Sequence, residues 1–241
     1  MIKNSHNNLY PSVTFSYDIQ KDIDNINIGL ETVRRGRKAD QELESIILLL
    51  GKKPARREIE TYLKKRWNKT YIKNKIKETQ KLWNEINDMF FKNIKEKMLI
   101  DNYPKNYIKI NGFFSSRYGS GYNYKKGWFA VSLHQNENNN LRTAMHEIMH
   151  IIFHYYYWKE CKKTKIQEKN IWDVKEAMTV LLNAWFKDTF KENLDLGYQE
   201  HTELRRKIIK LWWPKEKNFK KIVSLACEFM SNNPNKSSNW S

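Results

Sequence analysis

Residues 141–154 read LRTAMHEIMHIIFH, and the fold that we predict depends chiefly on this segment. It carries the pattern His-Glu-x-x-His at positions 146–150 within an apolar run that is typical of a buried helix. Because residues four positions apart share one face of a helix, His146 and His150 can direct two imidazole nitrogens at one metal ion. The carboxylate of Glu147, one position further along, can accept a proton from a water that the ion activates.

A metal site of this kind needs a third protein ligand and an open fourth position. His154 continues the series, but on a continuous helix it lies about 12 Å along the axis from His146 and about 80° round it. We therefore expect His154 to pack or to support the site. Glu176 is the better third ligand, because it lies in the apolar helical stretch 173–183, twenty-six positions after His150.

Glu176 also has a purely structural interpretation. Asp173 and Glu176 have the spacing of a helix N-cap followed by a capping-box glutamate, and in that case neither would bind a metal. We favour the ligand over the cap because the two histidines need a third partner, and Asp173 is the fallback ligand.

The His-Glu-x-x-His helix followed by Glu176 resembles the zincin metallopeptidases, in particular the gluzincins of the thermolysin-like and ImmA/IrrE-type intracellular protease branches. The resemblance implies a Zn²⁺ ion held by His146, His150 and Glu176, and hydrolysis of peptide bonds with Glu147 as the general base. It also implies a small sheet packed on the His-Glu-x-x-His helix, whose edge strand holds the peptide substrate by main-chain hydrogen bonds. Residues 128–133 are placed where such an edge strand would lie.

Further downstream, the resemblance implies a Tyr and a His that stabilise the charge developing on the carbonyl oxygen, and Tyr198 and His201 are the candidates, with Arg205 nearby. The chain departs from the thermolysin signature around Glu176, because Lys175 precedes it and Val180 stands where that signature has a serine. Thr179 or Asn183 would then support the ligand, one and two turns further along the helix.

Working outward, the spacing of apolar residues predicts helices through residues 18–100, the longest with a stripe from Ile72 to Met98. Strand-like runs occur at 13–17, 107–110 and 128–133, and Asn111-Gly112 is a hairpin signal. We therefore predict an α+β fold that is mostly helical, with a small antiparallel sheet. The predicted organisation is a helical N-terminal region (1–100), a zincin-like catalytic domain (101–231) and a disordered tail (232–241).

Composition limits the other function classes. The chain has 241 residues, 40% of them hydrophobic, which is enough for a real core and excludes wholesale disorder. No apolar run is long enough to span a membrane, and no secretory segment is evident at the N-terminus. Two cysteines are too few for a disulfide framework, so we expect a cytoplasmic protein.

The net charge of +17 supports an alternative function. The basic runs 34–38 and 52–57 frame two helices with a short turn between them, as in a helix-turn-helix that binds nucleic acid. In that case the metal site would be structural or vestigial. A hybrid would resemble the SprT/Spartan-type proteases, which associate with DNA and use a third His as ligand, a place that His154 would have to fill here.

Overall fold

The computed structural model describes residues 10–190 and 194–233. The described residues form an α+β fold that is mostly helical, as predicted. The strands are β1 (Ser12–Ser16), β2 (Lys109–Ser115), β3 (Gly121–Asn123) and β4 (Trp128–Ser132). The helices are α1 (Ile19–Arg34), α2 (Gln41–Leu50), α3 (Arg56–Arg66), α4 (Lys69–Lys97), α5 (Glu137–Tyr156), α6 (Trp158–Lys163), α7 (Glu168–Met178), α8 (Val180–Trp185), α9 (Lys187–Phe190), α10 (Thr202–Arg206) and α11 (Phe219–Asn232).

The sheet is mixed, and the prediction of an antiparallel sheet is wrong. Its order is β1-β2-β4-β3, in which β1 and β4 both run parallel to β2 and only β3 runs antiparallel to its neighbour β4. The parallel pair β1–β2 arises because helices α1–α4 connect the two strands and return the chain to the same end of the sheet.

Strand β4, which contains most of the predicted edge strand 128–133, is an interior strand between β2 and β3. The edge that lies near α5 is instead the three-residue strand β3. The opposite edge, β1, is covered by α4, because the side chain of Gln80 accepts a hydrogen bond from the Phe15 N–H at 2.9 Å and donates one to the Val13 carbonyl at 3.0 Å. The edge of β3 is therefore the one that an extended peptide can approach.

The main hydrophobic core contains residues from both sides of position 100, the predicted boundary between the N-terminal region and the catalytic domain. It contains the β1 side chain of Phe15 and the α4 side chains of Trp83 and Phe90, together with the apolar face of α5. A second, smaller core lies between α1, α2 and α3, around Ile23 and Ile59. Only α1–α3 therefore have a core of their own, whereas β1 and α4 belong with the sheet. Residues 234–241 of the predicted disordered tail lie outside the described residues, and α11 extends to Asn232.

None of the helices within 10–190 and 194–233 combines the length and the apolar composition that crossing a lipid bilayer requires.

Candidate metal centre and cleft

Helix α5 presents the two histidines of the His-Glu-x-x-His pattern. The helix begins after Asn136, whose side chain accepts a hydrogen bond from the Asn139 N–H at 2.8 Å. The rings of His146 and His150 lie one turn apart, with centroids separated by 4.3 Å. The rest of the helix is anchored in the main core by Ala144, Met145, Ile148, Met149, Ile151 and Ile152. This packing fixes the direction of both imidazoles.

Helix α7 brings Glu176 to these imidazoles. Its Oε2 atom lies 3.4 Å from His146 Nε2 and 3.2 Å from His150 Nε2. One ligand atom from each of the three residues falls within 4.8 Å of the others. The residues predicted as metal ligands are therefore brought together, although 26 residues separate His150 from Glu176 in the chain.

The electrostatics of the cluster suit a cation. Burial raises the pKa of Glu176, but His150 and Lys175 oppose it and hold that pKa well below its usual range, so the carboxylate stays ionised. Burial lowers the pKa of His150 to about 3, which keeps this imidazole neutral, as a metal ligand must be.

The capping-box interpretation of Glu176 is wrong, because the helix begins earlier than the sequence suggested. Its N-cap is Gln167, so Asp173 lies in the middle of α7. Asp173 is also not a ligand, since its Oδ1 atom pairs with His201 Nε2 at 2.9 Å and both side chains are buried.

This pairing corrects the prediction for His201, whose side chain lies outside the cleft wall described below. The ring of His201 packs edge-on against Tyr198, with centroids 5.7 Å apart. His201 therefore contacts Tyr198 from outside the cleft.

Asp195 is the residue that sequence reasoning missed. Its Oδ2 atom lies 2.6 Å from His146 Nδ1, on the side of the ring opposite to Glu176. A carboxylate in this place accepts a hydrogen bond from the Nδ1–H group and directs Nε2 toward the metal position. Burial opposes the charged form of His146, but the hydrogen bond and charge of Asp195 outweigh it and raise the pKa of the imidazole to about 10. In the metal-free protein His146 is therefore protonated at neutral pH, and a metal ion that binds Nε2 has to displace that proton.

Asp195 is itself held by surrounding side chains. Arg205 Nη2 lies 3.2 Å from Asp195 Oδ1, and Arg205 Nη1 donates to Thr179 Oγ1 at 2.8 Å. The side chain of Asn183 exchanges two hydrogen bonds with the backbone of Asp195, at 2.9 and 2.8 Å. Thr179 and Asn183 therefore support the site as expected, but through Arg205 and Asp195. Arg205 is buried as the anchor of Asp195 and is absent from the cleft lining.

A second chain of hydrogen bonds runs from the other oxygen of Glu176. The buried ammonium group of Lys175 donates to Glu176 Oε1 at 2.6 Å and to the Tyr122 hydroxyl at 2.9 Å. Tyr122 in turn reaches His154 Nε2 at 2.7 Å. His154 is thus a supporting residue, as predicted, and it is stacked between Tyr124 and Trp158, with centroids 4.3 Å from each.

The three candidate ligand residues line a cleft with a volume of about 530 Å³. Strand β3 and the turn after it form one wall, and α5 and α7 form the floor. The lining consists of Ser120, Gly121, Tyr122, Asn123, Tyr124, Lys125, His146, Glu147, His150, Trp172, Glu176 and Tyr198. An extended edge strand beside a metal-ligand cluster is an arrangement that can bind a peptide in line with the cluster.

Two further residues in the cleft have acid–base capacity. Glu147 receives a hydrogen bond from the Ser120 side chain, and burial raises the pKa of its carboxyl group. Tyr198 is half-exposed, and partial burial beside Glu176 and Glu147 raises its pKa to about 12. The phenol therefore remains a hydrogen-bond donor at neutral pH.

The donor set fits a divalent transition-metal ion. Two imidazole nitrogens and one carboxylate oxygen converge on one point, and Asp195 orients one of the imidazoles as outer carboxylates do in zinc sites. In the part of the chain that the structure describes, all three ligand residues line the cleft, so the space between their ligand atoms opens toward it.

Comparisons of the chain with protein-family models, with curated proteins and with solved structures found no match.

Proposed function

We propose that this protein is a zinc-dependent metallopeptidase with a gluzincin-like site. His146, His150 and Glu176 hold the ion, and Glu147 is the general base. One observation carries the proposal: the three ligand atoms converge within 4.8 Å at the floor of a cleft that Glu147 and an open edge strand also line. A zinc ion bound there would polarise the scissile carbonyl and make a water molecule acidic enough to lose a proton near neutral pH.

The side chains of the cleft divide the reaction between them. The main chain of β3 holds an extended peptide by hydrogen bonds, so that its carbonyl lies over the ligand cluster. Glu147 takes one proton from the attacking water and passes it to the nitrogen of the leaving amine as the C–N bond breaks. The Tyr198 hydroxyl donates a hydrogen bond to the carbonyl oxygen, on which negative charge develops.

Glu147→Gln tests the role of the general base. We expect the variant to retain zinc and to lose about 10²- to 10⁴-fold in kcat/KM on an unstructured protein substrate, because the amide cannot accept the proton. Glu168→Gln is the matched control, since Glu168 is exposed at the start of α7. Equal peptide hydrolysis by the wild type and Glu147→Gln, each purified to homogeneity, would remove Glu147 from the mechanism.

The peptidase proposal fits a cytoplasmic location. Cys161 and Cys227 are both free and buried, as is usual in a reducing compartment.

We infer a second candidate function, nucleic-acid binding, from a row of lysines on α4. Lys69, Lys73, Lys77 and Lys81 recur at every fourth position, and all four are exposed. Among the described residues none of them has a carboxylate oxygen within 4.0 Å. The row extends over about 18 Å of helix and presents unneutralised charge suited to a phosphate backbone.

This row is a better candidate than the helix pair that the sequence indicated. On α3, Arg56 forms an ion pair with Asp24, and Lys64 lies 2.6 Å from Glu60. Two basic side chains of α3, the second helix of that pair, are therefore already paired within the chain, whereas the α4 row is not.

Salt dependence tests the row. If four phosphates are contacted, the logarithm of the affinity for duplex DNA should fall with the logarithm of salt concentration with a slope of about −3.6. Changing the whole row to Gln should abolish most of this slope. A control variant with the same net charge carries Gln at four other exposed lysines outside the row, Lys92 and Lys97 near the end of α4 and Lys105 and Lys109 after it. Equal losses in both variants would show attraction by net charge alone and would contradict a defined surface.

A further inference from the structure

Lys175 is a charged residue in an unusual place. Its side chain is only 1% exposed, and it stands directly before the candidate ligand Glu176 on α7. Burying an ammonium group is costly unless it is paired and hydrogen-bonded. Lys175 meets that requirement entirely within the site, since its Nζ atom donates to Glu176 and to Tyr122 and lies 4.8 Å from the ring centroid of Trp172.

The two carboxylate oxygens of Glu176 have different partners. Oε1 accepts the hydrogen bond from Lys175 at 2.6 Å, whereas Oε2 lies toward His146 and His150. A free carboxylate can bind a metal through one oxygen or through both. With Oε1 held by the ammonium group, only Oε2 is directed at the metal position.

Lys175 also connects the ligand cluster to the cleft wall. It donates to the hydroxyl of Tyr122, which lies in the middle of strand β3. The hydroxyl that receives this hydrogen bond has its own proton available for His154 Nε2, 2.7 Å away. One ammonium group therefore sets the position of a ligand oxygen and of the strand that lies beside it.

We propose that Lys175 is a positioning residue that restricts Glu176 to one-oxygen coordination of the metal and so leaves the fourth coordination position open to water. This inference rests on the proposed function, because it concerns the same ion. The role follows from the hydrogen bonds on the two sides of Glu176, and it requires no contact between Lys175 and the substrate or the metal. Tyr122 shares the ammonium group but does not hold Oε1.

The test is a titration of the metal-free protein with Co²⁺ alone, followed by visible absorption. Four-coordinate Co²⁺ absorbs much more strongly than five- or six-coordinate Co²⁺, so the spectrum reports how many atoms surround the ion. We expect a strong four-coordinate spectrum for the wild type. A weak six-coordinate spectrum of wild-type protein with bound Co²⁺ would overturn the proposal without any variant.

Lys175→Met removes the donor and keeps the length of the side chain. We expect about 10- to 100-fold weaker Co²⁺ affinity, as for other outer partners of metal ligands, and a several-fold weaker absorption of the bound ion, because Oε1 is free to coordinate. Tyr122→Phe should keep the wild-type spectrum, and so should Lys169→Met, which changes an exposed lysine of the same helix. An unchanged spectrum and affinity in Lys175→Met would overturn the role of Lys175.

Two further outcomes are distinguishable. If Lys175→Met does not fold, as judged by circular dichroism, Lys175→Gln takes its place, because its amide can still donate a hydrogen bond to Oε1, and we expect it to keep the four-coordinate spectrum. A weak spectrum of folded Lys175→Gln with bound Co²⁺ would overturn the role that we assign to this hydrogen bond. If the folded wild type binds no Co²⁺ at all, the proposed function fails, and the role of Lys175 fails with it.

Discussion

Two buried carboxylate clusters of this molecule differ in the charge of their partners. Asp22, on α1, accepts hydrogen bonds from the Ser115 hydroxyl at 2.9 Å, from the Ser116 N–H at 3.0 Å and from the Tyr17 hydroxyl at 3.2 Å. All of these donors are neutral. Burial therefore outweighs them and raises the pKa of Asp22 above its usual range.

The cluster around Glu176 and Asp195 has cationic or imidazole partners instead. Lys175 and the two histidines surround Glu176, and Arg205 and His146 surround Asp195. Although burial acts against both carboxylates, these partners hold the pKa of each below its usual range. The two clusters therefore have different roles. Asp22 holds α1 to the end of β2, whereas the second cluster keeps ionised oxygens and imidazole nitrogens at an open cleft.

Substitutions in the two clusters should differ most in their effect on metal affinity. Asp195→Ala removes the acceptor of the His146 Nδ1 proton, and we expect about 10- to 100-fold weaker zinc binding. The same substitution at Asp22 should leave zinc binding unchanged. Competition with a chromophoric chelator measures both. Equal zinc affinities in the two variants would mean that Asp195 is only a structural residue.

The next effect is on stability. Asp22→Ala leaves the Ser116 N–H and the hydroxyls of Tyr17, Ser115 and Ser116 without their acceptor inside the protein, which should lower the free energy of unfolding by about 1–3 kcal/mol. Urea denaturation of metal-free protein gives the value. A loss below about 0.5 kcal/mol, the range of ordinary surface substitutions, would show that Asp22 does not hold α1 to the sheet.

The smallest effect is a dependence of stability on pH. The pKa of Asp22 is raised in the folded state. The folded protein therefore keeps the proton of the Asp22 carboxyl group at pH values at which the unfolded chain has lost it. The contribution of Asp22 to stability therefore falls as pH rises from about 4, the ordinary range of aspartate, through the raised pKa. Wild type should lose stability relative to Asp22→Asn across that window, in urea titrations at several pH values. A difference that stays constant with pH would contradict the raised pKa.

Local spacing was enough to predict the parts of the site that lie on single helices. The i, i+4 relation placed His146 and His150 together, and the apolar stripe of α4 was visible from Ile72 to Met98. Glu176 was identified because its helix is apolar and something had to complete the ligand set. These signals depend on residues within a few turns of one another, which is what periodicity can report.

Contacts between residues far apart in the chain give no comparable signal in the sequence. Asp195 lies 49 residues from His146, outside any periodic segment, and strand β3 has only three residues. In the sequence, Lys175 stands out only as a departure from the thermolysin signature. The prediction of a hairpin at Asn111-Gly112 was wrong, because both residues lie inside β2. Gly112 is needed there for space, since a Cβ would approach a ring carbon of Phe15 to 2.7 Å.

We claim that His146, His150 and Glu176 hold one metal ion, and elemental analysis of the purified protein is the simplest test. We predict about one zinc ion per wild-type chain, clear loss of zinc in Glu176→Ala, and retention in the control Glu168→Ala on the same helix. A folded wild-type protein that contains no zinc and takes up none from added zinc salt would contradict the claim.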